Sequence, residues 1–305
     1  MSFLYYLESI RSPFLDSFFS LVTRAGEETL FIVVALLLFW CLDKRQGYYV
    51  MLVGFLGTTL NQFLKITCRV PRPWVRDPNF TIVESAREAA ADYSFPSGHT
   101  QMSVGLYGAL ARWNKNKILR GICLVLCVLI PFSRMYLGVH YPTDVGFSLV
   151  LAGLLIFGLY PVIRSCTAQD GKLGKLMALM ALLAGLQVLY VSFWPFPADI
   201  DAGNLESAVK NAYTMLGATL GIWLAWAADC KKPFDTAAPL VGQILKSVIG
   251  LALALAIRMA LKPVLGAVFG GHHIADAIRY FAMVAFAGVL WPRTFPWFAK
   301  LGKGR

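Results

Sequence analysis

The sequence predicts an all-α protein, a polytopic bundle of about nine transmembrane helices. Two observations carry that expectation. Hydrophobic residues fill 57% of the 305 positions and charged residues only 15%, against roughly 25% charged in soluble chains. Apolar runs about as long as a bilayer is thick recur between short polar loops. A net charge of +11 would point to an anionic partner in a soluble protein, but here its distribution matters more than its sum.

The expected spans cover roughly 28–42, 47–66, 98–113, 118–135, 143–163, 175–194, 208–228, 241–262 and 275–291. The first is short and begins at Glu27 and Glu28. The stretch Phe14 to Val22 before it reads as an amphipathic helix lying in the membrane interface. No basic start or small-residue cleavage site marks a signal peptide. The organisation expected is an N-terminal interfacial segment at 1–27, a core at 28–165, and additional transmembrane helices at 166–305. Six cysteines show no metal-site spacing, and Cys123 and Cys127, one turn apart, read as packing residues. Trp194, Trp291 and Trp297 read as interface anchors.

An odd number of spans separates the termini. Sixteen of the 28 basic residues, but only four of the 17 acids, fall on the C-terminal side. Cytoplasmic loops are enriched in Lys and Arg, so the C-terminus is expected in the cytoplasm and the N-terminus outside it.

Three segments then fall on the extracytoplasmic side. At the end of the second span, Lys65 is followed by Arg72-Pro73; charge at that depth needs a partner or a polar cavity, and Pro71 and Pro73 end the helix. Pro96-Ser97-Gly98-His99 opens the third span, where a serine cap and a glycine leave backbone N–H groups pointing at whatever anion binds. Before the fifth span, Ser133-Arg134 precedes His140 and Asp144, four residues apart, so that the carboxylate can hold one imidazole nitrogen. Three cations, two histidines, a carboxylate and a helix N-terminus form a working set for phosphoryl transfer, whose main demand on a protein is to position and neutralise the phosphoryl oxygens.

With these motifs the sequence resembles the type 2 phosphatidic acid phosphatase superfamily, whose patterns KxxxxxxRP, PSGH and SRxxxxxHxxxD are all present over residues 45–165. The arrangement of spans is most similar to the glucose 6-phosphatase branch. The resemblance implies a histidine phosphatase with its active site outside the cytoplasm. In that scheme His140 is the nucleophile, Asp144 holds its tautomer, and His99 protonates the leaving group and then activates water. Lys65, Arg72, Arg134, Ser97 and Gly98 bind the phosphoryl oxygens. No cofactor is implied, and the three cations do what a metal does in other phosphatases, so metal-independent hydrolysis is expected.

The expected partners are the lipid bilayer and a phosphorylated lipid such as undecaprenyl pyrophosphate or phosphatidate, with no nucleic acid. A sugar-phosphate phosphatase, a lipid phosphotransferase and a transporter or scramblase of phosphorylated lipids are the alternatives; the last needs the cations but no nucleophile. In the C-terminal third, Arg258 and Lys262 are candidates for touching the substrate's head group, and His272 and Asp276 repeat the spacing of His140 and Asp144.

Overall fold

The structure is a computed structural model that describes residues 1–301. It is helical, with no strand among the described residues. Lys303 and Arg305, counted above on the cytoplasmic side, lie outside the described residues. The chain divides into two compact units interleaved along the sequence.

The first unit comprises Met1–Ile32, Leu56–Tyr160 and Phe196–Ala208. It opens with α1 (Ser2–Ser9) and α2 (Pro13–Arg24). α2 has an ordinary start and stop: the Ser12 hydroxyl accepts from the Leu15 amide, Pro13 takes a first-turn position, Asp16 lies in the first turn and Arg24 in the last. Each choice suits the unpaired amides or the dipole at that end. α2 is two-faced, as the sequence predicts. Phe14 and Leu21 are 77% and 67% exposed, whereas Phe19 is buried against Tyr136, Leu137, Val139 and the loop alanines Ala86 and Ala90. Leu4 and Leu7 of α1 pack on Phe80 and Ile82. These two clusters hold the long loop 77–97 in place.

α3 (Glu28–Leu37) runs into a π-helical turn at Leu38–Leu42, and α4 (Lys44–Cys68) follows. A single turn, α5 (Pro73–Arg76), leads into the loop. α6 (Gly98–Trp113), α7 (Lys117–Tyr136) and α8 (Pro142–Ser165) come next. α6 and α7 pack closely, and Gly26 and Gly108 sit where a side chain would press on Ile130 and Ile156 respectively.

The second unit comprises Val33–Phe55, Pro161–Pro195 and Val209–Arg305. Its helices are α9 (Gly171–Phe193), α10 (Ala202–Lys231, which begins in the first unit), α11 (Leu240–Val268), α12 (Ile274–Ala285) and the short α13 (Phe295–Phe298). Gly217 lies against the Ala277 backbone and Gly250 against the Trp291 ring, so both contacts depend on a missing side chain. Trp291 is buried, and its indole N–H donates to the Lys246 carbonyl at 3.2 Å. It is therefore a packing residue rather than the interface anchor expected, because it fills the space that Gly250 leaves. Trp194 and Trp297 are 57% and 58% exposed.

All nine expected segments are helical. Among the described residues, six helices are long and apolar enough to cross a bilayer, or seven if α2 and the Glu28–Leu42 segment, bent by 43°, form one broken span. α6, with 16 residues, reaches only about 24 Å at 1.5 Å per residue, short of a ~30 Å hydrocarbon core. α10 is long enough but more polar.

Candidate active site

The site belongs to the first unit and starts where α4 ends. Arg69 adopts a left-handed backbone, φ +51°, a conformation that costs a non-glycine residue energy and stops a helix abruptly. The stop leaves Lys65 in the last turn, 4% exposed. Its ammonium donates to the Tyr93 carbonyl at 2.6 Å and lies 3.2 Å from the Asp92 carboxylate. Arg72, also 4% exposed, caps α5 in an extended conformation. Its Nε donates to the Asp92 carbonyl at 2.7 Å, Nη2 pairs with the Asp92 carboxylate, and Nη1 donates to the Val139 carbonyl at 2.8 Å. Burial pushes the Asp92 carboxyl up, but the charges of Lys65 and Arg72 outweigh it and hold the group below the usual carboxylate range.

Asp92 was not among the residues the motifs single out. The signal was available: two cations buried at one helix end need a carboxylate, and Asp92 is the only acid between Glu88 and the helix start at Gly98.

The second half of the site comes from the turn between α7 and α8. Gly138, at φ +83°, turns the chain just past the end of α7, a position that favours glycine. His140 and Asp144 follow, 2% and 1% exposed. One carboxylate oxygen, Asp144 Oδ2, lies 3.3 Å from His140 Nδ1 and accepts from the Ser94 hydroxyl at 2.5 Å and the Tyr141 amide at 2.9 Å. Ser94, also unforeseen, thus ties the loop to the turn. Asp144 opposite Nδ1 places the imidazole proton there and leaves the lone pair on Nε2. Arg72 Nη1 lies 2.9 Å from that Nε2. Burial, reinforced by Arg72, Lys65, Arg134 and His99, pushes the His140 imidazole well below its ordinary pKa. It is therefore neutral at pH 7, with its lone pair turned towards cations.

The third part is the start of α6. The Ser97 hydroxyl accepts from the Thr100 amide at 3.4 Å, and the Ser97 amide donates to the Asp144 carbonyl at 3.3 Å. The amides of Gly98 and His99 stand in the first turn, where no intrahelical carbonyl reaches them. Arg134, 1% exposed, donates from Nη1 to the Thr23 hydroxyl at 2.8 Å, while its Nε and Nη2 are buried without a partner among the described residues. Arg134 and His99 line one cleft of about 480 Å³, together with Thr23, Arg24, Glu27 and Ser85. No sequence pattern marked Thr23, because its role depends on α2 folding back over the α7 terminus.

Lys65, Arg72, Ser97, His140 and Asp144 are thus joined by hydrogen bonds or through Asp92, and His99 and Arg134 act electrostatically on His140. Arg258 and Lys262 belong to the other compact unit, on α11, where the Arg258 guanidinium lies 5.3 Å from the Tyr280 ring centre. His272 does not pair with Asp276; His273 does, at 3.5 Å, while His272 meets the Tyr213 ring edge-on. A neutral imidazole oriented by a carboxylate and faced by cations is equipped to attack an anionic electrophile.

Residues 44–167 match the PAP2 superfamily, and residues 213–303 match the family described as PAP2 superfamily phosphatase, transmembrane extension. Undecaprenyl-diphosphatase BcrC of Bacillus subtilis is 31% identical over 137 residues, 44% of this chain and 68% of that one. Phosphatidylglycerophosphatase B of the same organism is 30% identical over 165 residues, 49% of this chain and 75% of that one. A probable sphingosine-1-phosphate phosphatase of Dictyostelium discoideum is 29% identical over 163 residues; these cover 49% of this chain but only 38% of the relative. No solved structure matches the chain.

Proposed function

Because this chain belongs to the PAP2 superfamily and is a membrane phosphatase, we propose that it hydrolyses phosphate monoesters or diphosphates of lipids through a phosphohistidine on His140. The observation that carries the reading is the His140–Asp144 pair, with Nε2 beside the Arg72 guanidinium.

In the first step the phosphoryl group enters among Lys65, Arg72, Arg134, the Ser97 hydroxyl and the Gly98 amide, and Arg72 exchanges its contact with Nε2 for a phosphoryl oxygen. His140 Nε2 attacks phosphorus, the P–O bond to the lipid breaks, and His99 gives its proton to the leaving oxygen. Asp144 stabilises the imidazole as it becomes positively charged. In the second step His99 takes a proton from water, the resulting hydroxide attacks phosphorus, and the P–N bond breaks to return neutral His140 and inorganic phosphate. The chemistry as written routes no step through a metal, and full activity in EDTA is the expected outcome.

The lipid class rests on the names of the relatives and on a site at the end of membrane-embedded helices. The charge asymmetry of the loops, counted over nine spans, supports a site outside the cytoplasm; reporter fusions after residues 80 and 168 would check that sidedness, the first active outside and the second inside. Head-group contact is proposed for the half-buried Arg258, since charge within a span faces a cavity or the bundle interior, whereas Lys262 is exposed and its head-group contact has no such support. Unchanged substrate preference in Arg258→Ala would remove that assignment. The decisive assay is phosphate release by the purified chain from a panel of vesicle-borne lipid phosphates, a lipid diphosphate and soluble sugar phosphates. Lipid substrates should be turned over and His140→Ala should be inactive; turnover of sugar phosphates alone would contradict the lipid assignment.

A further inference from the structure

Several buried polar groups of the first unit play no part in this mechanism, and one pair of them lies beside the site. Asn61 and Gln101 are 1% and 2% exposed, and all four polar atoms of their carboxamides are buried without a hydrogen-bond partner among the described residues. Two unsatisfied carboxamides are expensive to bury, and such groups call for an explanation. Their placement supplies one. Gly57, Asn61 and Lys65 are spaced by four residues along α4 and so share one face. That face meets α6: a side chain on Gly57 would collide with the Gln101 carboxamide, and the one heavy atom near the missing side chain of Gly98 is Asn61 Oδ1, at 3.8 Å. The space over Gly98 is otherwise open. Asn61 therefore stands one turn below Lys65, beside the amide-bearing start of α6. Its oxygen and nitrogen are interchangeable by a flip of the carboxamide.

We propose that the Asn61 carboxamide is a further phosphoryl-binding group, donating its N–H to a phosphoryl oxygen seated over Gly98, with Gln101 positioning it from below. The inference rests on the phosphatase reading and adds a specific donor to it. It also gives the unpaired Asn61 amide a partner: a tetrahedral oxyanion supplies the acceptor that the protein does not. Lys65 already donates to Tyr93 and Asp92, and Arg72 to Asp92 and Val139. Donors left unspent beside the site include Arg134 Nε and Nη2 and the Asn61 amide.

The test uses the full chain in detergent with orthovanadate and inorganic phosphate as competitive probes. Asn61→Leu should weaken inhibition by either anion about tenfold or more, the scale of one hydrogen bond to a charged group. Asn61→Asp keeps the shape and brings a carboxylate to the anion, so it should weaken inhibition further while the thermal midpoint stays close to that of the parent. Gln101→Leu should have a smaller effect of the same sign. Thr59→Val removes another buried, unpaired group on a different face of α4 and should leave both inhibition constants unchanged. Parental vanadate affinity in Asn61→Leu and Asn61→Asp, with turnover intact, would overturn the proposal alone. Failure of the parent chain both to release phosphate from any substrate and to bind vanadate would overturn the phosphatase reading and the proposal with it.

Discussion

Two His–Asp pairs in this molecule look alike in sequence and differ in everything around them. His140 and Asp144 are four residues apart with side chains 2% and 1% exposed. His273 and Asp276 are three apart and 19% and 16% exposed. Asp144 Oδ2 gathers the Ser94 hydroxyl, the Tyr141 amide and the imidazole. Asp276 instead binds Arg279 at 2.5 Å, and its contact with His273 is long. The first carboxylate serves the histidine; the second is committed to an arginine. Buried cations tell the same story. In the second unit Lys44 is held by Asp229 at 2.8 Å and Lys246 by the carbonyls of Trp40 and Thr236, with the rings of Phe234 and Phe295 alongside. In the first, Arg134 keeps two buried donors unspent. A spare donor alone does not mark a site, since Arg279 Nε in the second unit is also buried without a partner among the described residues; Arg134 differs in lining a cleft together with His99.

The largest effect expected from this contrast is loss of the nucleophile. His140→Ala should lower kcat by about 10⁴-fold or more, while His273→Ala should leave phosphate release within about twofold. Comparable losses in both variants would erase the distinction. Next is Asp144→Asn, which removes the group holding the tautomer and should cost roughly 10²- to 10⁴-fold in kcat; Asp276→Asn should show itself in thermal stability rather than turnover.

What the sequence made legible was the set of local motifs. Lys65 with Arg72, the capped turn at Ser97-Gly98-His99, and Arg134 with His140 and Asp144 each have short-range spacings whose chemistry can be read directly. The long helices were legible as apolar runs, whereas α1 and the single turns α5 and α13 lie outside the expected segments. Ser94 and Thr23 were not, because their partners lie 50 and 111 positions away and are met only through the loop and the return of α2; Asp92 belongs to no motif, and its signal lay only in the two cations it neutralises. Trp291 was misread because an aromatic near a predicted span end looks the same whether it faces lipid or a neighbouring glycine.

Asp92 supplies a prediction of intermediate size. Its carboxylate occupies Lys65 and Arg72 when no phosphate is bound, so Asp92→Asn should tighten inhibition by inorganic phosphate, by up to about tenfold. The thermal midpoint should fall in the same variant, because two buried cations lose their counter-charge. Weaker phosphate inhibition would instead make Asp92 part of the anion cradle.

The pH profile gives a smaller but signed effect. His140 is held well below its ordinary value by burial and by the surrounding cations, so the neutral nucleophile persists as pH falls through 6.5. With a substrate whose own ionisation is corrected for, the acid limb of kcat/KM should lie below pH 6.5. A limb at or above that value would mean that His140 is protonated as readily as a solvated imidazole. Smallest of all, Thr23→Val removes the acceptor that orients Arg134 and should raise KM a fewfold with kcat little changed.

The central claim is that His140 Nε2 becomes covalently bonded to phosphorus. It is tested most directly by mixing purified chain with excess lipid phosphate, quenching in alkali within the first turnover, and mapping the phosphopeptide by mass spectrometry. The account predicts one phosphoryl group on the peptide bearing His140 and none in Asp144→Asn over the same interval. A phosphoryl group found on His99, or turnover with water attacking the substrate directly and no phosphohistidine at any time point, would contradict it.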